Sequence, residues 1–299
     1  MNINISILIK YLLLVFLINY SFSFSLPEEY DVREHYDCKS FYDIRNQYKC
    51  GSCWAFATAE VISDRYCINS NGKEQLLFSE MELITCAKTL DDEPIKAGCS
   101  GSRSKFAFHY WITKGLPTKD CKEYLFTPLD DPQIQKDKLK CLDTCTTKGM
   151  EMVRYRGSSY KKIIGGEEEI KNEIYNNGPV TAAFDYYNDF KIYWIDLIFE
   201  PNKIYQHSDE VKNSTHAIKI IGWGIDKISK KKYWLCVNSW GKSDYYNGVF
   251  RFIRGINDCG IESDITAGYF NKILYSLIDF IYAGRDLFLS FKNLNEDYE

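Results

Sequence analysis

The sequence predicts an α+β protein in which a helical half precedes a β half, and three observations carry that expectation. Segments with apolar residues at helical spacing occupy residues 53–117, and strand-like runs bounded by Gly, Asn, Asp and Lys follow residue 179. The third is size and composition: 299 residues, 45% hydrophobic and 16% aromatic, suffice for one large domain or two packed lobes with a real core. A helical half followed by a β half suggests two lobes, with the cleft between them as the natural site.

The elements follow in chain order. Residues 1–25 hold one early Lys10, an apolar run from Tyr11 to Ile18 and then small polar residues. This reads as a secretory signal peptide cleaved around Ser23 to Ser25, because the run is short of a bilayer span. Residues 26–41 are mixed and loop-like. In "CWAFATAEVISDRYCI" (53–68), Trp54, Ala57, Val61 and Ile62 fall at helical spacing without Gly or Pro, which predicts a partly buried helix opening near Cys53. Ser79 with Glu82 three residues later predicts a helix start in "SEMELITCA" (79–87), and "SRSKFAFHYWITKGLP" (102–117) predicts a helix ending at Gly115 and Pro117. Residues 120–148 carry three cysteines, several charges and two prolines, the composition of a disulfide-pinned loop. "EEEIKNEIYNNGP" (167–179) reads as a short helix stopped by Asn-Gly-Pro. The strand-like runs "VTAAFDY", "HAIKIIGW", "KYWLCVN" and "VFRFI" follow. The expected division is a signal peptide over 1–25, a helical disulfide-rich lobe over 26–150, a β lobe over 151–269 and an extension over 270–299. In that extension Phe270, Ile273, Leu274, Leu277, Ile278 and Ile281 line one helical stripe, while Lys272, Asp279, Arg285 and Asp286 make a poor membrane span. It reads as a helix packed on its own protein, laid against a membrane surface or held by a partner.

A formal net charge of −4 offers no basic face to nucleic acid. Eleven cysteines in a secreted chain imply disulfides, and their odd number leaves at least one thiol unpaired.

The stretch "CGSCWAF" (50–56) places Cys50 and Cys53 close together, and three readings compete. A zinc site wants a second close pair, which Cys141 and Cys145 could supply, although a secreted context favours disulfides. A thioredoxin-like redox pair lacks a preceding βαβ pattern. The third reading splits the pair. Cys53 opens a helix, where backbone N–H groups and the macrodipole favour a thiolate, while Cys50 is tied down by a disulfide. A thiolate nucleophile needs a base, and four histidines exist. His35 and His109 lie in the helical half, with His109 expected to be packed, and His207 follows "IYQ". His216 heads "HAIKIIGW", where a rigid strand can aim it across a cleft. Asn238 is placed to orient the imidazole, and Trp240 to shield the pair from water.

These residues carry a resemblance. Through "QYKCGSCWAF", "EVISDRYCI", "NEIYNNGPV", "IYQH", "HAIKIIGWG", "YWLCVNSWG" and "DCGIES", residues 26–269 resemble the papain-like cysteine proteases, most closely the cathepsin B branch. The resemblance implies a two-lobe fold, with a helical left lobe, a β-barrel-like right lobe and the active site in the cleft between. It implies Cys53 as nucleophile, His216 as base, Asn238 as the group orienting the imidazole and Gln47 as the side-chain oxyanion donor beside the backbone N–H of Cys53. Implied disulfides are Cys38–Cys67, Cys50–Cys99, Cys86–Cys141 and Cys121–Cys145. Cys236 and Cys259 then remain, free to bond each other or not. Gly101, Ser102, Asp264 and Trp240 fall at substrate-binding positions, with Asp264 at the floor of the S2 pocket, where a carboxylate would admit Arg beside apolar residues. The resemblance further implies peptide and protein substrates, cystatin-like inhibitors as partners, no cofactor, and a lysosome-like, vacuolar or extracellular destination.

Departures from the family pattern are equally readable. No histidine lies between Cys121 and Cys141, where cathepsin B carries a histidine-bearing occluding loop, so endopeptidase action is expected rather than dipeptidyl-carboxypeptidase action. In "GCSGS" (98–102) Ser102 replaces a glycine whose backbone approaches the substrate. Thr215 stands where a glycine often precedes the histidine, Asp244 and Tyr245 replace a Trp-Gly pair, and "IDLIFEPNK" (195–203) has no counterpart. Asn213-Ser214-Thr215 forms a glycosylation sequon beside His216. "LPEEYDVRE", which resembles a mature N-terminus, follows the signal segment almost at once, so either a propeptide is lacking or the sequence is incomplete. The rival readings are a weak or inactive homologue acting as a binding protein, and a zinc-binding structural protein.

Overall fold

The computed structural model describes residues 25–88, 98–131, 136–208, 211–242 and 247–271. The expected signal segment up to residue 24, the tail from residue 272 and the Asp244–Tyr246 departure lie outside the described residues.

Among the described residues three α-helices build the first half: α1 (Cys53–Asn69), α2 (Glu80–Cys86) and α3 (Ser104–Thr113). Ser79 caps α2, its hydroxyl oxygen accepting from the Glu82 N–H at 3.1 Å while its O–H donates to the Lys122 carbonyl at 2.7 Å. The periodicity of α1 predicts one buried face, but every residue from Trp54 to Ile68 is buried. The helix is enclosed by α2, α3 and the sheet, so its polar residues must find partners inside the protein. Several do, although Trp54 Nε1 and one carboxylate oxygen each of Glu60 and Asp64 have no hydrogen-bond partner among the described residues. Arg65 donates to the carbonyls of Pro179 and Gly178 and to Glu173, at 2.6, 2.9 and 2.9 Å. Lys219, from the sheet, reaches Asp64 at 2.7 Å.

The strands are β1 (Tyr30–Asp31), β2 (Ser159–Ile163), β3 (Val180–Tyr187), β4 (Ile204–Tyr205), β5 (Lys212–Ile225), β6 (Lys232–Val237), β7 (Val249–Ile253) and β8 (Asp264–Tyr269). Helices α4 (Glu167–Asn177) and α5 (Asn188–Asp196) precede and follow β3. The sheet runs β2-β8-β3-β5-β6-β7-β4 as an open path, with β1 paired to β5 beside it. Among the described residues it does not close on itself, so the barrel-like expectation becomes an open sheet. Residues 26–41, read as a loop of the helical half, also contribute to the sheet side. Tyr30 and Asp31 pair with Trp223 and Gly222, and Tyr30, Val32 and Phe41 pack with the sheet's apolar cluster. Gly222 permits this approach, since a Cβ there would sit 2.0 Å from the Tyr30 carbonyl oxygen.

Two apolar clusters result. One, under the sheet, includes Phe184, Trp223, Trp234, Phe250 and Ile265; the other surrounds α1 with Trp54, Phe56, Phe78, Phe108 and Trp111. Ala217 of β5 packs in the helical cluster while Ile218 packs in the sheet's, so β5 crosses the boundary where His216 stands. That crossing positions the site.

Four disulfides, Cys38–Cys67, Cys50–Cys99, Cys86–Cys141 and Cys121–Cys145, staple the first half in the pairs implied by the resemblance. They also remove Cys50, Cys141 and Cys145 from any four-cysteine zinc set. Cys53, Cys236 and Cys259 are free thiols, so Cys236 and Cys259 do not bond each other. The unplaced stretch 195–203 forms the end of α5 and the turn after it. Phe190, Tyr193 and Trp194 of α5 are buried, whereas Ile192, Ile195 and Phe199 are exposed. No helix among the described residues is long and apolar enough to cross a membrane.

Candidate active site

Cys53 is the first residue of α1, and the Ser52 side chain makes no cap hydrogen bond. The Ala55 N–H bonds the Ser52 carbonyl at 2.9 Å, which leaves the N–H groups of Cys53 and Trp54 available at the helix mouth. The loop ahead of it is held from two sides. Cys50 is bonded to Cys99, and the Gly51 N–H donates to the Cys99 carbonyl at 2.8 Å. A Cβ on Gly51 would lie 2.4 Å from that oxygen, so the close approach requires glycine.

Gln47 is buried and fully oriented. Its backbone N–H donates to Ser239 at 2.8 Å, its carbonyl accepts from the Tyr124 hydroxyl at 2.7 Å, and its side-chain oxygen accepts from the Ser239 hydroxyl at 2.6 Å. The side-chain nitrogen donates one hydrogen to the Cys50 carbonyl at 2.8 Å and keeps a second for a ligand in the cleft that Gln47 lines.

His216 lies on β5 opposite Phe184 of β3. Its Nε2 is 2.9 Å from Asn238 Oδ1, which also accepts from the Ser239 N–H at 2.8 Å. An amide oxygen only accepts, so that network assigns the imidazole proton to Nε2 and leaves Nδ1 as the basic nitrogen. Asn238 is wholly buried, with its own N–H on the Gly248 carbonyl at 3.0 Å. Trp240 lies 5.0 Å from the His216 ring, centroid to centroid, and Phe184 and Tyr186 close the other sides at 5.7 and 6.2 Å.

The backbone N–H groups of Cys53, Trp54 and Ala217 lie on the side of the Cys53 sulfur and favour its charged form. Because Ala217 follows His216, β5 brings thiol and imidazole into one place, and both line a cleft of about 910 Å³. Burial pushes the Cys53 thiol up, the backbone hydrogen bonds only partly offsetting it. Burial likewise pulls His216 down to about 4, against the Asn238 bond. Each group alone therefore resists charge, and the helix mouth by itself does not create the thiolate. A proton passing from sulfur to imidazole makes both charges together, each the other's counterion, so the two titrate as a unit.

Among the four histidines, His216 alone lines this cleft. His35 stacks on Tyr30 at 4.5 Å, and His207 lies 3.7 Å from the Tyr187 ring with Nδ1 3.4 Å from Asp189. His109 is half-buried and lines a second cavity between α3 and the Cys86–Cys141 bridge. Gly101, Ser102, Trp240 and Asp264 all line the main cleft. Gly101 has φ +92°, and nothing stands within 4 Å of where its Cβ would be, so conformation rather than space favours glycine there. Asp264 opens β8 with its carboxylate 3.9 Å from the Lys162 ammonium. Asn213 is exposed on β5, its side chain donating to Asn188 at 2.6 Å, and Ser214 and Thr215 line the cleft. Sequence patterns did not single out Ser239, Arg103 or Lys162. Ser239 sits inside "NSWG" but bonds a glutamine 192 positions away, and Lys162 meets Asp264 only through β2–β8 pairing.

The sequence profile of the papain family cysteine proteases matches residues 26–269. "Cathepsin B-like cysteine proteinase 5" of Caenorhabditis elegans is 36% identical over 267 residues, 82% of this chain and 74% of that protein. A "Cathepsin B-like cysteine proteinase" of Schistosoma japonicum is 35% identical over 265 residues, covering 81% of this chain and 73% of that protein. The solved structure of procathepsin B S9 from Trypanosoma congolense superposes with a TM-score of 0.69 at 32% identity, over 84% of this chain and 79% of that one. A match over nearly all described residues, with a free thiol and an Asn-held imidazole meeting at the mouth of a buried helix, places this chain in the papain family of cysteine proteases, among its cathepsin B-like members.

Proposed function

We propose that this cysteine peptidase is an endopeptidase in which Cys53 is the nucleophile, His216 the base and later the acid, Asn238 the group fixing the imidazole, and Gln47 with the Cys53 N–H the oxyanion donors. The observation that carries the reading is the His216–Asn238 bond, which leaves Nδ1 basic in the cleft that the free thiol of Cys53 also lines. The sulfur attacks the peptide carbonyl as its proton passes to His216. The oxyanion is met by the spare Gln47 N–H and the helix-mouth N–H of Cys53. His216 then protonates the leaving amine, and water hydrolyses the thioester.

Endopeptidase action is supported by the segment between Cys121 and Cys145. Two disulfides hold it, no histidine lies between Cys121 and Cys141, and none of its described residues lines the cleft. None of the described residues of that segment reaches the cleft to capture a substrate's terminal carboxylate. Gly101, Ser102, Asp264 and Trp240 are the proposed substrate contacts, and residues 26–269 the working unit, with one lobe on each apolar cluster. Four disulfides fit a secretory route to a lysosome-like, vacuolar or extracellular site. The open cleft would also suit cystatin-like inhibitors, and a membrane or partner contact by the 270–299 extension is part of the proposal. Digestion of a long unstructured polypeptide tests the specificity: mass spectra are expected to show internal cuts from the earliest times. Stepwise release of C-terminal dipeptides would overturn the endopeptidase reading.

A further inference from the structure

Among the described residues four charged side chains line the catalytic cleft: Arg103, Lys162, Asp185 and Asp264. Both acids have a cation near. Asp185 is paired to Lys212 at 2.7 Å, and Asp264 faces Lys162 at 3.9 Å. Arg103 is different. It is exposed, it directly follows Ser102 at the head of α3, and among the described residues its guanidinium has no ion pair or hydrogen bond. Once each acid is matched to its neighbour, the described lining of the cleft keeps one unmatched positive charge.

From this charge pattern we infer that Arg103 is a specificity-determining residue that selects substrates carrying an acidic side chain, Glu or Asp, two or three residues N-terminal to the scissile bond. This deepens the proposed peptidase reading and rests on it for the direction in which the substrate lies. The geometry also qualifies the expectation for Asp264. A carboxylate alone on that wall would attract arginine, but Lys162 already satisfies part of its field and would repel an incoming cation. The guanidinium presents several N–H donors in a planar fork that matches a carboxylate two-pronged. Because Arg103 is solvated before binding, the gain is that of an exposed ion pair, and it is sensitive to salt.

The test uses a set of fluorogenic peptides identical except for Glu, Gln or Arg at the second or third residue before the cut. At low ionic strength kcat/KM for Glu is expected to exceed that for Gln by about three- to fivefold at one of the two positions, the ratio shrinking towards one as salt rises. In Arg103→Gln the Glu/Gln ratio is expected to collapse to about one, and in Arg103→Glu to fall below one. Reading ratios within each variant separates charge selection from any general loss of activity. The same peptides, labelled and uncleaved, are titrated against Cys53→Ala by fluorescence anisotropy, which reads the preference as Kd without turnover. Turnover with a Glu/Gln ratio of one or less, or a ratio unchanged in Arg103→Gln, overturns the inference and leaves the peptidase reading standing. A cleft that binds the Glu peptide more tightly but cleaves none of the set supports the inference and sinks the proposed mechanism.

Discussion

Replacing Cys53 with alanine is expected to lower kcat by about 10⁴- to 10⁶-fold while leaving the fold intact, the scale of losing a covalent nucleophile whose partners act as a unit. The side chain is small and lines the cleft, so its removal opens no enclosed core cavity. His216→Ala should fall nearly as far, because the sulfur then has no acceptor for its proton. Gln47→Ala should cost about 10²- to 10³-fold, the scale for one oxyanion donor. Alkylation checks the same geometry. Iodoacetamide or an electrophilic epoxide at mildly acidic pH is expected to modify Cys53, and the reaction should disappear in His216→Ala. The other free thiols are poor competitors, since Cys236 is buried with its thiol pushed well up and Cys259 is pushed up to about 12. Labelling of Cys53 that ignores the His216 substitution would argue for a binding protein instead.

The largest effect on stability is expected at Lys219. Its ammonium is buried 2.7 Å from Asp64 and 3.8 Å from Glu60, two carboxylates one turn apart on α1. Lys219→Met would leave both acids buried without their cation, which costs about 3–5 kcal/mol when a buried ion pair is broken. The cluster also carries a pH signature. Burial pushes Glu60 up from an ordinary 4.5 to about 7, with Asp64 and Asp43 adding in the same direction and Lys219 and Arg45 opposing. Between those values the folded protein holds a proton that the unfolded chain has released. Stability from this group is therefore full below about pH 4.5 and is lost as pH rises through 7. His216 works the other way. Lowered from 6.5 to about 4, it contributes stability that is present above 6.5 and lost as pH falls towards 4. The two slopes largely cancel in wild type, so Glu60→Gln separates them. Urea melts at pH 5 and pH 7 should show wild type losing roughly 2 kcal/mol against Glu60→Gln over the interval. A difference independent of pH would show that Glu60 does not take up the proton.

Local patterns located much of the molecule. Ser79 and Glu82 start α2 as a capping pair, "VFRFI" coincides with β7, and Asn-Gly-Pro stops α4, because caps, alternation and chain breakers act over a few residues. Patterns failed where packing decides. No element is expected over 188–196 from the sequence, and α5 forms because Phe190, Tyr193 and Trp194 find a core to enter. β8, with its small residues and Gly268, gains its place from pairing with β2 and β3.

The site divides in the same way. Residue types and their motifs, read along the chain, determined the family resemblance, which thiol stands apart from the disulfide framework, and which histidine and asparagine are its candidate partners. Only the folded chain decided that β5 carries His216 to the cleft of Cys53, that Ser239 locks Gln47, that Lys162 answers Asp264, and that no described residue answers Arg103. A motif records chemistry held in consecutive residues, whereas a field between charges depends on which distant segments the sheet sets side by side.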